Sequence, residues 1–214
     1  VRCVGNNEMK IALTFDDGPH RCYTPEILDV LDGYGIKATF FVIGENCREN
    51  LGIVRRELDS GHEIGNHSYH HVHLLTAGLK EIWEEVAPAN DLLEQVAGVR
   101  PTLYRPPYGN SHERIRAVVE GAGLKVIRWS HSLNDSDDTN QVASRSFACA
   151  TANITPGSII LSHQDSKATV EALPDILQWY QEHGFEVVPV SELLLQGDVT
   201  VDSEGYQVYR KDLK

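Results

Sequence analysis

Apolar and polar positions alternate along this chain in short blocks, each ended by glycine, proline or a small polar residue. Ile11, Leu13 and Phe15 alternate with smaller neighbours, as in a strand entering a core, and the run breaks at Asp16-Asp17 into the turn pair Gly18-Pro19. From Pro25, Ile27, Leu28 and Leu31 fall on one helical face, closed by Gly33 and Gly35. Lys37 to Ile43, with its ATFFVI run, reads as a strand buried on both sides. The spacing of Leu51, Val54 and Leu58 predicts a single helix from about Arg48 to Asp59, ended by Gly61. His62 to Asn66 is a short strand running into HSYHH, and a helix over about Thr76 to Val96 follows, with Pro88 predicted to kink or break it.

The second half keeps this beat. Thr102 to Arg105 is strand-like and leads into PPYG; a helix follows over about Ser111 to Gly121, then a strand over Leu124 to Trp129. A polar loop, Ser132 to Asn140, and a weakly patterned helix to about Ala150 precede the SIILS strand, which ends at His163. Val170 to Glu182 predicts a helix capped by Gly184, Phe185 to Val190 the last strand, and Ser191 the cap of a short helix through Leu195. The tail, 196–214, alternates enough to form an edge hairpin or to hang loose. Strand followed by helix, repeated with short connections, predicts an α/β fold with a parallel sheet inside helices. Asp16-Asp17, His67-His71, Arg105-Tyr108, Asp135 and His163 all fall just past the carboxyl ends of different strands. That regularity favours a (β/α) barrel, whose mouth gathers such ends, over an open doubly wound sheet.

At 214 residues the chain can form one large domain or two small ones, and it is long enough to bury a substantial core. The formal net charge of −12 argues against a nucleic-acid groove or an anionic membrane surface as partner. No apolar run approaches a membrane span. The chain opens on Val-Arg-Cys rather than on a signal peptide, so any leader or anchor is expected outside this stretch. Cys3, Cys22, Cys47 and Cys149 have no C-x-x-C spacing, which disfavours a thiolate zinc cluster and leaves their pairing open. No feature encodes assembly, and a monomer is the default expectation.

Five of the ten histidines lie between His62 and His73. His67 and His71 stand four apart; if Ser68 to His71 begin a helical turn, both imidazoles point to one side and can share a divalent cation. A carboxylate from the end of the first strand is a natural third ligand, with His62, His70 and His73 as bystanders. Two His, one Asp and an open position describe a catalytic rather than a structural site, and suit zinc, cobalt, manganese or iron. An ion-activated water then needs a base, an acid and an oxyanion partner. Asp16, free of the metal, could take the water's proton, and Arg105 could fix it in charge and orientation. His163 could donate to the leaving group beside Asp135. Pro106-Pro107 stiffens the chain so that the Tyr108 N–H could face a developing oxyanion. Taken singly, each of these is as well read as a turn carboxylate, a surface arginine or a satisfied core histidine.

Together TFDDGP, HSYHH, RPPYG, the Trp129 to Asp138 loop and LSH resemble, in order and spacing, the NodB-type polysaccharide deacetylases of carbohydrate esterase family four. The resemblance covers about Lys10 to Leu195, and so implies a single domain over 1–214 with its core at about 10–195 and 196–214 as a tail. It implies a distorted (β/α) barrel of about seven strands and metal-dependent removal of acetyl groups from sugars, with zinc the first expectation for the metal. By position it implies Asp16 as base, Asp17, His67 and His71 as metal ligands, and Arg105 as the residue orienting the base. It further implies Tyr108 at the oxyanion, beside Pro107, with Leu161 lining the acetyl pocket, His163 as acid and Asp135 tuning it. Its substrates imply an acetylated polysaccharide, peptidoglycan or chitin-like, and an extracellular or cell-surface location. The fourth stretch departs from the pattern: Ser132 replaces the earlier Asp, and Ser136 the Trp that usually walls the pocket.

Three other readings are weighed against this one. An O-deacetylase of acetylxylan would use the same metal and base. A glycoside hydrolase needs carboxylates set several ångströms apart across a sugar bond, which adjacent Asp16 and Asp17 supply poorly. A sugar-binding module that has lost catalysis would account for the altered fourth stretch.

Overall fold

The computed structural model of the chain describes residues 1–5, 8–98, 100–136 and 142–212. Its strands are β1 (Cys3–Val4), β2 (Lys10–Gly18), β3 (Thr39–Val42), β4 (Glu63–Asn66), β5 (Leu103–Tyr104), β6 (Lys125–Val126), β7 (His131–Ser132), β8 (Ile159–His163), β9 (Glu186–Val187), β10 (Val199–Val201) and β11 (Tyr206–Tyr209). Between them run α1 (Tyr23–Tyr34), α2 (Gly44–Glu49), α3 (Leu51–Asp59), α4 (Leu79–Ala97), α5 (Glu113–Gly121), α6 (Ala143–Thr151), α7 (Lys167–Glu182) and α8 (Val190–Leu193). Seven strands pair in parallel in the order β6-β5-β4-β3-β2-β8-β7, and β9 adds to the first residues of β2. The sheet curls into a half-barrel with the helices around it. β6 and β7 do not pair among the described residues; along that seam the Arg128 N–H donates to the Val1 carbonyl at 2.6 Å and the Val4 N–H to Gly157 at 2.9 Å. The tail settles as the β10–β11 hairpin, which pairs with β1 in a separate three-stranded sheet.

Side-chain alternation divides the strands between two cores. Ile11, Leu13, Phe15, Phe40, Val42, Ile64 and Ile160 point outward and pack with Ile27, Leu31, Ile176 and Leu177 of the helices. Ala12, Phe41, Leu103, Ile127 and Ile159 point inward, with Val188 and Val190, and fill the barrel floor. Both faces are buried, so β3 reads as an unbroken apolar run. The alternation continues toward the carboxyl ends, where the inward positions above this floor become Thr14, Asp16, His67, Arg105 and His163.

Four local expectations are corrected. The helix expected over Arg48 to Asp59 is two helices, because Asn50 leaves helical geometry (φ −128°, ψ 42°) while its side-chain amide donates to the Asn46 carbonyl at 2.9 Å. Pro88 does not break α4: it sits on the exposed face, where the carbonyl it deprives of a partner, that of exposed Glu84, meets water. The strand expected over Leu124 to Trp129 shrinks to β6, and a further strand, β7, appears at His131–Ser132. The last strand is only Glu186–Val187, and Pro189 rather than Ser191 precedes α8. The four cysteines are free thiols: Cys3 and Cys47 are buried, Cys149 half-buried and Cys22 exposed.

Candidate metal centre and active site

Regular pleating would send Asp16 and Asp17 to opposite faces of the sheet. They converge because β2 carries a bulge: Phe15 pairs with Phe40 but Gly18 with Val42, so β2 spends one more residue than β3 over that interval. Asp17 absorbs the excess with a left-handed backbone (φ 67°), and Asn46 holds its carbonyl through a 2.9 Å hydrogen bond. Both carboxylates thereby face the mouth.

Asp16 is 3% exposed. Its Oδ1 accepts from Arg105 Nη1 at 2.7 Å, which leaves Oδ2 facing His67 Nε2 at 3.7 Å. Arg105 is fully buried, donates also to Thr14 Oγ1 at 2.6 Å, and lies with its guanidinium 4.2 Å over the Phe41 ring. Burial pulls the Arg105 pKa down and Asp16 opposes that pull. Gly65 makes this stacking possible, since a Cβ there would stand 2.5 Å from the Phe41 ring.

The segment from His67 to His71 forms bends rather than the expected helical turn. Left-handed conformations at Ser68 (φ 67°) and His71 (φ 57°) reverse the chain and bring the two imidazoles to one point. His67 Nε2 lies 3.1 Å and His71 Nε2 3.0 Å from Asp17 Oδ1. His67 Nδ1 is 2.7 Å from the Arg105 carbonyl, which only accepts, so Nδ1 carries the proton and Nε2 presents its lone pair. One ligand atom from each of Asp17, His67 and His71 lies within 4.8 Å of the others. Asp17 Oδ1 is buried and has no hydrogen-bond partner among the described residues. Burial raises the Asp17 pKa, yet the two imidazoles outweigh it and hold the carboxyl well below the ordinary range. Burial lowers the proton affinity of His67, and Asp16 and Asp17 reverse that as well. The pocket thus favours a positive charge among these atoms, and an N,N,O donor set fits a divalent cation.

On the other wall, His163 Nδ1 is 2.8 Å from Asp135 Oδ1, and the His163 backbone N–H donates to Asp135 Oδ2 at 2.8 Å. Asp135 is fully buried and also accepts from the Thr169 hydroxyl. Burial alone would lower the His163 pKa; Asp135, helped by Asp16 and Asp17, pushes it up to about 9. His163 Nε2 faces the mouth, 3.9 Å from Asp17 Oδ2. Leu161 lies two residues earlier on the same face of β8 and is buried. Pro107 is buried and opens a short 3-10 turn in which Tyr108 is left-handed (φ 58°). Tyr108 is 55% exposed, and its ring stacks on His73 with centroids 3.6 Å apart.

Asp16, Asp17, His67, His71, Arg105, Asp135 and His163 are thus linked in one cluster, Tyr108 lies against His71 with ring centroids 4.7 Å apart, and Leu161 and Pro107 are buried next to cluster members along the chain. Thr14, Trp129 and the polar residues of α4 were not singled out. Thr14 sits at an inward position of β2 and the others carry no spacing signal, although Trp129 seals Gly109, whose Cβ would stand 2.8 Å from its indole. Ser132 Oγ accepts the Asn134 N–H at 3.1 Å, and Ser136 is exposed. The rest of the fourth stretch, 137–138, lies outside the described residues, as do 139–141.

Comparison with known proteins gives the family. The family described as polysaccharide deacetylase matches residues 4–127. The chain belongs to that family. Among curated relatives, the peptidoglycan-N-acetylglucosamine deacetylase PgdA of Listeria monocytogenes is 37% identical over 184 residues, covering 86% of this chain and 38% of its own. This chain thus spans about two fifths of that relative. A peptidoglycan-N-acetylglucosamine deacetylase of Bacillus cereus is 35% identical over 194 residues, covering 89% and 91%. Among solved structures, a family-four acetyl xylan esterase from Clostridium thermocellum, in complex with a cobalt ion, superposes with a TM-score of 0.81 at 33% identity over 86% of this chain and 89% of its own. BA3943 of Bacillus anthracis, a CE4 family pseudoenzyme, superposes at 0.85 with 26% identity over 90% and 68%.

Proposed function

We propose that this polysaccharide deacetylase removes acetyl groups from N-acetylated aminosugar units of a peptidoglycan- or chitin-like polymer, with a divalent ion, zinc first, held by Asp17, His67 and His71. The observation that carries the reading is the placement of the three-donor cluster between two separately braced groups, Asp16 on Arg105 and His163 on Asp135. An ion bound there would polarise the acetyl carbonyl and make a water acidic enough to attack near neutral pH. Asp16 takes a proton from the attacking water through Oδ2, while Arg105 holds its other oxygen still. The Tyr108 backbone N–H, set by the Pro107 turn, meets the charge that develops on the carbonyl oxygen. As the C–N bond breaks, His163 Nε2 gives its proton to the departing nitrogen, releasing a free amine and acetate. Leu161 lines the side on which the acetyl methyl rests. We also propose a single domain over the whole chain, acting as a monomer outside the cytoplasm on a wall or matrix polymer.

The decisive measurement is acetate release from chitin oligomers and purified peptidoglycan, before and after stripping with a chelator and after returning zinc or cobalt. Loss on stripping and recovery with metal is expected, and full activity in the stripped protein would falsify the reading. One observation favours a second substrate class: the similar structure from C. thermocellum is named an acetyl xylan esterase. The groups that brace Asp16 and His163 do not distinguish an ester from an amide, so acetylated xylan belongs in the same assay. Binding of oligomers without acetate release would place the chain with the pseudoenzymes.

A further inference from the structure

Glu85 lies on α4, outside the mouth, and none of the roles above uses it. It is nine-tenths buried, and its carboxylate is directed at the loop that carries the two histidines. Oε2 accepts the backbone N–H of His70 at 2.9 Å and of Tyr69 at 3.2 Å, and Oε1 lies 2.8 Å from His70 Nδ1. The same helix holds the entrance to the loop. Asn66 donates through Nδ2 to the Val86 carbonyl at 2.9 Å and to Asn90 Oδ1 at 2.6 Å, which frees its Oδ1 to accept the Ser68 N–H at 2.8 Å.

The loop needs such support. Between β4 and α4 its backbone lacks any helical or sheet ladder, and two non-glycine residues, Ser68 and His71, are held left-handed. Such conformations persist only where the surroundings over-determine them. His67 has its own tether, the bond from Nδ1 to the Arg105 carbonyl. His71 has no such tether on its ring; its backbone N–H rests on Ser68 Oγ, inside the loop itself. On the carbonyl side the loop is held by the Gly44 and Glu45 N–H groups, which donate to Ser68 and Tyr69 at 3.0 Å each, and by the Tyr108 hydroxyl, 3.4 Å from the His71 carbonyl; the N–H groups of the two residues before His71 are held by Glu85.

We propose that Glu85 is a positioning residue that sets the ion affinity of the site, by pinning the 67–71 segment in the bend that aims His71 at Asp17. The proposal rests on Asp17, His67 and His71 being the ion site. Without the carboxylate the left-handed residues relax, His71 swings off Asp17 Oδ1, and a bound ion has to re-order the loop. His67 stays in place, so the loss falls on one ligand.

The test is competition of the whole protein against a chromogenic chelator for zinc, together with the visible spectrum of the cobalt form, for wild type, Glu85→Ala, Glu85→Gln and the neighbouring surface control Glu84→Gln. Glu85→Ala is expected to bind zinc at least about tenfold more weakly, within the range seen when groups supporting metal ligands are removed, and to give a changed cobalt spectrum. Glu85→Gln is expected to recover most of the affinity, since its amide oxygen can accept both N–H groups and its amide nitrogen can donate to His70 Nδ1. Glu84→Gln should match wild type. A purely structural role would lower the thermal midpoint of the metal-free protein and leave affinity and spectrum unchanged; that result overturns the clamp while the ion site stands. A wild type that takes up no zinc or cobalt removes both. If Glu85→Ala does not fold, Glu85→Asp, one methylene short of the loop, carries the comparison, and wild-type affinity in that variant overturns the proposal.

Discussion

The two ends of the same strands are built on opposite principles. At the floor, Ala12, Phe41, Leu103, Ile127 and Ile159 are packed together without a polar group among them. A few residues further along, β2, β5 and β8 present Thr14, Asp16, Arg105 and His163, and Asp17, Ser68, His71 and Tyr108 are all held in left-handed backbone conformations. Bulk packing stabilises the floor, and its side chains are interchangeable within limits of volume. The rim is fixed by directed bonds: Arg105 to Asp16 and Thr14, Asp135 to His163, Glu85 to the histidine loop. Stability and reactivity are therefore carried by different residues of the same strands, and the two can be perturbed separately.

The largest expected effect is at the rim. Asp16→Asn should keep the shape of the Arg105 contact but not the proton acceptor, and lower kcat for acetate release by about 10²- to 10⁴-fold; an unchanged kcat would remove Asp16 from the chemistry. At the floor, Ile159→Ala, four residues before His163, should cost about 2–5 kcal/mol in urea unfolding and leave kcat of the folded protein nearly unchanged. A large kcat effect there would show that the two ends are not independent. Gly65→Ala tests the boundary, because the added methyl meets the Phe41 ring on which Arg105 stacks. It should cost about 1–3 kcal/mol by overpacking and also reduce kcat.

The smallest effects are those of pH on the stability of the metal-free protein, and they have opposite signs at the two ends. His62, at the floor end of β4, is buried and accepts the Ala38 N–H on Nδ1 at 3.1 Å; burial, reinforced by Lys37, lowers its pKa to about 4. The unfolded chain takes up that proton near pH 6.5 and the folded one resists until about 4, so stability falls as pH drops through this window. His163 is raised to about 9, so its contribution is complete below about 6.5 and is lost as pH rises toward 9. His62→Gln should flatten the acid side of the stability profile, and Asp135→Asn the alkaline side. A profile unmoved by either substitution would contradict both assignments.

The floor was more legible than the rim. Alternation at Ile11, Leu13 and Phe15, and the apolar run of β3, announce themselves because every residue obeys one period. β1 and β7, two residues each, are too short for any period to register, and β5, β6 and β9, equally short, read from the sequence as longer strands than they are. The site residues were found because they fall just past strand ends in a family's order. How they converge was not readable: the β2 bulge and the left-handed bends at Ser68 and His71 depend on partners far away in the sequence, such as Asn46 and Glu85. A helical turn was the natural guess for two histidines four apart, and it fails because the backbone groups that would close it are bonded elsewhere, the Tyr69 and His70 N–H groups to Glu85 of α4 and the Ser68 and Tyr69 carbonyls to the start of α2.

Arg105 faces two ways: its guanidinium grips Asp16, and its carbonyl decides which nitrogen His67 turns toward Asp17. A slip of β5 along β4 would mis-set the proton acceptor and choose the wrong imidazole tautomer in a single stroke. Laboratory evolution of this chain would therefore be unable to retune one without disturbing the other, and should leave that junction alone while it explores the walls around it.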